Sequence, residues 1–291
     1  MVTYRLGDQL ISLELPDATK KEIDFTDSSF FKTPNRHLPT PDQVRAISPD
    51  VRNRYKITPV RFENLNLIVK SGVDVTTIEA VNLWMIKKVF QNDVPVPEVF
   101  GWRVDDEGFV FIYMELIKGP TLEECRVCLD TTQKKAITDQ LSRIMGNLRR
   151  LKQDTSDPFV GRTFKNQPKT GPIPSAKEFN DWFALLPSIF LCQRSDKPYR
   201  CFLPDTDEIK FTHADLHKGN MIVSSFDPVQ IVIVDWAQSG WYPDYWEYCR
   251  ACWTCKKGDE WHEDFVAEFL EPRKELDEVF AYYCYAIGAY S

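Results

Sequence analysis

FTHADLHKGNMIVSSFDPVQIVIVDWAQSG, residues Phe211–Gly240, sets three side chains that handle metals and protons within one loop, one hairpin and one strand. Asp215 and Asn220 stand five positions apart, the separation required when the chain between a loop Asp and a metal-ligating Asn turns beneath a row of phosphates. Ile231–Val234 is β-branched throughout and too short for a buried helix, so it predicts a strand with Asp235 at its tip. Met221–Val223, the turn sequence SFDP and this second apolar run have the form of a β-hairpin.

The residue types suit phosphoryl transfer. That chemistry asks little covalent help of a protein: the site positions an acceptor hydroxyl, neutralises phosphate charge and holds a metal ion between the phosphates. Asp215 is the candidate to take the acceptor proton. Mg²⁺ is a hard cation that prefers oxygen ligands, which suits Asn220 and Asp235. His217 and Lys218 are placed where a cation would face the transferred group, whereas His213 reads as a structural brace for the loop.

HADLHKGN followed by IVDW resembles the HGDLHPGN and IIDW signatures of the aminoglycoside phosphotransferase and choline kinase-like family, a small-molecule branch of the protein-kinase-like superfamily. NLIVKSG, IEAVNLWMI, VPVPEVFGW, FIYMELIKGPTLEE and GWYPDYWEY follow in family order, so the resemblance runs from about Leu67 to Tyr248. The last block and EFNDWF resemble a large fungal group of such proteins. The departures are Ala214 for the usual Gly and Lys218 for the usual Pro, and neither removes a catalytic atom. The resemblance implies an α+β, two-lobed protein-kinase-like fold. A small antiparallel-sheet lobe with an N-terminal extension would occupy residues 1–117, and a larger, mainly helical lobe residues 118–291. It also implies ATP as donor, Mg²⁺ as cofactor and a small-molecule acceptor.

Composition permits this. With 291 residues and 43% hydrophobic content the chain can bury a large core. A formal charge of −7 and the lack of a dense Lys/Arg stripe argue against a nucleic-acid partner. No basic start with an apolar run follows Met1 and no segment reaches membrane-spanning length, so no membrane partner and a cytoplasmic protein are expected. Cys125, Cys128, Cys192, Cys201 and Cys284 are scattered and read as reduced thiols. Cys249, Cys252 and Cys255, followed by His262, superficially have metal-ligand spacing, but residues three apart also share one helix face and a second CxxC is missing.

Along the chain, the first forty residues predict a partly strand-forming extension. Thr40, Pro41 and Gln43 then predict a capped helix over PDQVRAIS, packed on the small lobe. YKITPVRF and NLNLIVK predict two strands, the second ending in Lys70, with a helix from about Ile78 to Val89. Lys70 is the candidate phosphate lysine and Glu79 its carboxylate partner. GFVFIYMEL predicts a strand leading to a hinge, where the main chain of Glu115 and Ile117 would meet an adenine ring with Met114 behind it; an ordinary core strand would bury Met114 equally well.

Beyond the hinge, LEECRVC and TQKKAITDQLSRIMGNLRRLKQ carry helical spacing. Residues 154–175 predict a long loop, and Ser175 with Glu178 caps a helix through EFNDWFALL. That loop and helix serve either as an acceptor wall or as scaffold. Trp241, Tyr242, Tyr245 and Trp246 either line an aromatic acceptor pocket or form core, with Asp244 and Glu247 reading as exposed. No glycine occurs between Tyr55 and Lys70, which keeps open a pseudokinase-like binding protein, or an enzyme that reuses the pocket for other chemistry. The acceptor and the oligomeric state stay open.

Overall fold

The computed structural model describes residues 1–48, 59–153, 173–191, 197, 199–255, 261 and 265–287. The chain begins with a hairpin of β1 (Val2–Leu6) and β2 (Gln9–Leu13), followed by β3 (Glu22–Asp24) and helix α1 (Pro41–Ile47). Helix α1 starts as its sequence dictates: Thr40 and Gln43 exchange side-chain to backbone hydrogen bonds in a full capping box, with Pro41 at the first helical position. Next come β4 (Val60–Phe62), β5 (Leu67–Gly72), α2 (Thr77–Phe90), β6 (Val99–Val104) and β7 (Val110–Glu115). Of the span expected as the first strand, Tyr55–Phe62, residues 55–58 lie outside the described residues.

Five of these strands form one antiparallel sheet in the order β3-β6-β7-β5-β4. The period-two alternation of a strand divides its two faces. Leu67, Val69, Phe111 and Tyr113 pack with Phe30, Leu38 and Val44, so α1 and the segment before it cover one side. Ile112, Met114 and Ile68 point the other way, against α2, and Lys70 shares their face because it lies two positions beyond Ile68. The cleft face of the sheet therefore carries Lys70 and Met114 together.

The second lobe comprises α3 (Leu122–Cys125), α4 (Thr131–Arg150), β8 (Leu151–Gln153), α5 (Ala176–Leu191), β9 (Ile209–Thr212), β10 (Met221–Phe226), β11 (Val229–Ile233), β12 (Gly240–Pro243), α6 (Trp246–Trp253), α7 (Val266–Phe269) and α8 (Asp277–Ala286). Residues 151–153, expected at the end of α4, are strand: the helix stops at Arg150 because LKQ pairs with β1. The β1–β2 hairpin accordingly joins a three-stranded sheet β2-β1-β8 and docks on the helical lobe, although its place in the chain assigned it to the first lobe. An open strand edge at β8 and the stacking of Tyr4 on Trp241, ring centroids 6.4 Å apart, account for that docking.

The lobes are joined through Leu116–Pro120. Gly119 has φ +131° and its backbone lies against β10, where an added Cβ would stand 2.1 Å from the Val223 carbonyl oxygen, so no other residue fits. Pro120 accepts from Val223 N–H at 2.9 Å, which seats the hinge exit directly on the hairpin that carries the site.

Candidate active site

Strand β5 delivers Lys70 to the cleft and α2 begins seven residues later, bringing Glu79 onto the same face. The Lys70 ammonium lies 2.9 and 3.0 Å from the two Glu79 carboxylate oxygens and 2.7 Å from Asp235 Oδ1. Lys70 and Glu79 are 8% and 1% exposed, so this is a buried pair bridged to a third, more open carboxylate. Burial alone would lower the Lys70 pKa, but the charges of Glu79 and Asp235 prevail and raise it. For Glu79 burial prevails over the pull of Lys70 and, with repulsion from Asp235, lifts the carboxyl to about 7. For Asp235 burial pushes upward, yet Lys70 and the nearby His213 hold the pKa below its ordinary value.

The β10–β11 hairpin forms as expected and sets the two candidate metal ligands side by side. Met221 pairs with Ile233, and Val234 N–H donates to the Asn220 carbonyl at 2.9 Å, so Asn220 and Asp235 flank adjacent rungs. Asp235 has φ +61°, a left-handed backbone that turns its carboxylate out of the strand line toward Lys70. Asn220 Nδ2 donates to the Asp215 carbonyl at 2.9 Å and lies 3.4 Å from Asp215 Oδ2. That bond fixes the orientation of the amide, because only its nitrogen can donate, and leaves Oδ1 as the oxygen free to meet a hard cation. The donor set therefore fits Mg²⁺. On α2, Asn82 Nδ2 bonds both the carbonyl and the hydroxyl of Ser239, at 3.1 and 2.9 Å, tying the helix that carries Glu79 to the segment after Asp235.

The loop bearing Asp215 is braced from behind. His213 Nδ1 accepts from Asp215 N–H at 3.2 Å, which places the ring proton on Nε2, bonded to the Val234 carbonyl at 3.0 Å. This is the structural part expected of His213. Two residues of α6 that sequence reasoning missed complete the brace. Glu247, read as exposed, is 1% exposed, and its carboxylate accepts from His213 N–H at 2.6 Å and Ala214 N–H at 3.0 Å. Arg250 Nε donates to the Ala214 carbonyl at 3.0 Å. Asp244, also read as exposed, is mostly covered by ion pairs to Arg149 and Arg273. The only sequence signal for Glu247 and Arg250 was a Glu and an Arg three apart on a helix of otherwise apolar and aromatic residues.

The model of the phosphotransferase enzyme family matches residues 85–283, which takes in the loop bearing Asp215, the hairpin and α6. The chain belongs to that family. Lys70 and Glu79 precede the matched span, so their meeting with Asp235 is a feature of the tertiary structure and not of the match. No curated protein sequence matches this one. Among solved structures, it is similar to the apo form of a thermostable mutant of aminoglycoside phosphotransferase APH(4)-Ia, at 16% identity, TM-score 0.49, with 76% of this chain and 77% of that chain covered. It is also similar to APH(2")-IIa in a ternary complex with streptomycin and ATP, at 14% identity, TM-score 0.47, with 84% and 86% covered. APH(2")-IIia in a complex with GDP and kanamycin is similar at 12% identity, TM-score 0.45, with 84% and 81% covered.

Within this phosphotransferase-family chain the remaining expected positions are distributed as follows. His217 Nδ1 accepts from Gly219 N–H at 3.0 Å and caps the turn at Lys218–Asn220. With Nδ1 accepting that bond, the ring caps the turn and Nε2 is its remaining polar atom. At the hinge, Glu115 N–H is bonded to the Glu98 carbonyl at 2.8 Å, while Ile117 N–H has no hydrogen-bond partner among the described residues. Met114 is buried on the cleft face.

Trp241, Tyr242, Tyr245 and Trp246 are core: Tyr242 stacks on Trp246 at 5.4 Å, and the Tyr245 hydroxyl lies 2.7 Å from Asn180 Oδ1. Most of the expected loop at 154–175 lies outside the described residues, as do Cys192 and His262. Ser175 accepts from Glu178 N–H at the start of α5 as expected. Cys249 and Cys252 are buried in α6, where burial raises the first thiol far above its usual value and the second to about 12. Such thiols stay protonated. Among the described residues no cluster of three or more His, Cys, Asp or Glu side chains, the kind a zinc site at these cysteines would need, is arranged to hold a metal.

Proposed function

We propose that the protein transfers the γ-phosphoryl group of Mg·ATP to a hydroxyl of a small-molecule acceptor. The observation that carries this reading is the convergence of Lys70, Glu79, Asp235, Asn220 and Asp215 from four separated segments on one cleft. Lys70, oriented by Glu79, meets the α- and β-phosphates, and the hinge backbone at Glu115 and Ile117 holds the adenine against Met114. Asn220 Oδ1 and the Asp235 carboxylate would hold magnesium, which when bound would supply positive charge against the phosphates. Asp215 takes the proton of the acceptor hydroxyl as the acceptor oxygen bonds to the γ-phosphorus. The bond from that phosphorus to the bridging oxygen breaks, and its electron pair leaves with ADP. His217 orients the loop through its cap and offers Nε2–H toward the transferred group. The sheet lobe up to residue 117 serves the nucleotide and the lobe from 118 the metal, base and acceptor. The cytoplasm, which supplies ATP, is the compartment proposed for this reaction; among the described residues no helix is long and apolar enough to cross a membrane.

Thermal unfolding with ATP, with Mg²⁺ and with both tests the site. A ligand at a hundred times its Kd adds about 2.7 kcal/mol, which raises Tm by roughly 4–5 °C in a chain of this size. The full rise needs metal and nucleotide together, and Asp235→Ala abolishes the metal-dependent part while the unliganded protein still folds. An equal rise without metal would sink the assignment of Asn220 and Asp235. The lack of any glycine between Tyr55 and Lys70 favours a second reading, a nucleotide-binding protein without turnover. That reading expects the thermal shift and no phosphate release.

A further inference from the structure

We propose that Arg250 is a positioning residue for Asp215, acting as a clamp supplied by α6 to the base of the proposed reaction. The inference rests on the kinase reading of the site and extends it to a residue outside the motifs. Its side chain is almost fully buried, and besides the Cys284 thiol of α8 its contacts lead to the loop bearing Asp215 and to the segment after Asp235. Nε donates to the Ala214 carbonyl at 3.0 Å, Nη2 donates to Gln238 Oε1 at 2.9 Å, and Nη2 stands 3.7 Å from Asp215 Oδ1. A buried positive charge requires a nearby counter-charge, and Asp215 is the carboxylate it reaches.

The Asp215 carboxylate is consequently held on two sides, by Arg250 at Oδ1 and by the Asn220 amide at Oδ2. The peptide before it is held on both of its polar groups. Ala214 has φ +64°, a left-handed backbone that a non-glycine residue adopts only when its surroundings hold it there. Its N–H is bound by Glu247 and its carbonyl by Arg250, one helical turn apart on α6. Helix α6 thus sets both the direction of the Asp215 backbone and the charge beside its side chain. Gln238, three residues beyond Asp235, steadies the same guanidinium, so the base and the metal segment are referred to one cation. The arrangement fixes the Asp215 carboxylate beside Asn220, in one orientation toward an acceptor hydroxyl.

The test uses the full chain and Mg·ATP, with phosphate release to water as the turnover readout. Arg250→Met keeps the apolar stem and removes the charge, Arg250→Lys keeps the charge and loses the fork, and Gln238→Leu loosens the guanidinium without touching it. The expected result is a fall in kcat of about 10–100-fold for Arg250→Met with KM for ATP within about twofold, and partial recovery in Arg250→Lys. A smaller loss of kcat in the same direction is expected for Gln238→Leu, which serves if Arg250→Met does not fold. In the Asp215→Asn background Arg250→Met has no further effect, since both act through one carboxylate. Additive losses, or a change in KM alone, would show that Arg250 merely supports the fold and would overturn the proposal. A wild-type protein that binds no Mg·ATP and releases no phosphate fails differently, by removing the kinase reading itself.

Discussion

Replacing Glu247 with alanine removes both acceptors for the amides of His213 and Ala214, which lie 2.6 and 3.0 Å from its carboxylate oxygens. Both residues are fully buried, so water does not replace the lost acceptors. A buried donor left without a partner costs roughly 1–3 kcal/mol, and two such donors cost about 2–6 kcal/mol. An opposing effect sets the lower part of that range: burial raises the Glu247 pKa against the pull of His213 and of the two amides, so removal also relieves a desolvated carboxylate. The expected net loss is about 2–4 kcal/mol, a large share of the roughly 5–15 kcal/mol that stabilises a folded protein. Urea unfolding followed by tryptophan fluorescence measures it, with a fall in Tm of about 3–7 °C in a parallel melt. Glu247→Gln keeps one acceptor and turns an amide group on the other N–H, so it loses about half as much. If Glu247→Ala unfolds within about 0.5 kcal/mol of the wild type, the catalytic loop is held by its own turns and the brace from α6 is not what fixes it.

Two further outcomes follow from the cleft. The Glu79 carboxyl is raised from 4.5 to about 7 in the folded protein, so between those values the native state holds a proton that the unfolded chain has lost. The stabilisation from that proton is fully present below 4.5 and is lost as pH rises through about 7. Lys70, raised above 10.5, and Asp235, lowered beneath 3.8, titrate outside this window. Urea unfolding of wild type and Glu79→Gln across pH 4.5–7 should show the wild type losing stability relative to the variant as pH rises, and a constant difference would refute the buried-carboxyl assignment. Asp215→Asn should keep Mg·ATP affinity by calorimetry while phosphate release falls at least ~10²-fold; full turnover in that variant would move the base elsewhere.

The spacing of Asp215, Asn220 and Asp235 was readable because hairpin geometry is local: a short β-branched run after SFDP can only return beside Met221–Val223, which brings Asn220 to the tip of the second strand. Helix caps were readable for the same reason, since Thr40 and Gln43 satisfy each other within one turn. Lys70 and Glu79 were placed by the end of a strand and the start of the helix that follows it, both short-range patterns.

Only the tertiary structure decided what lies behind the loop. Glu247 and Arg250 looked like ordinary polar positions of a helix, because periodicity assigns a side chain to a face and does not reveal whether that face meets solvent or the backbone of a distant loop. Their partners are 33, 34 and 36 residues away. The docking of β1 on β8, the burial of the Trp241–Trp246 aromatics and the meeting of Lys70 with Asp235 across 165 residues are of the same kind. The sequence by itself determined which chemistry could be assembled, through residue types at local spacings. The packing of α6 and the sheet lobe around the hairpin decided which buried charges find partners, because those contacts depend on the relative placement of whole elements and not on the pattern within any one of them.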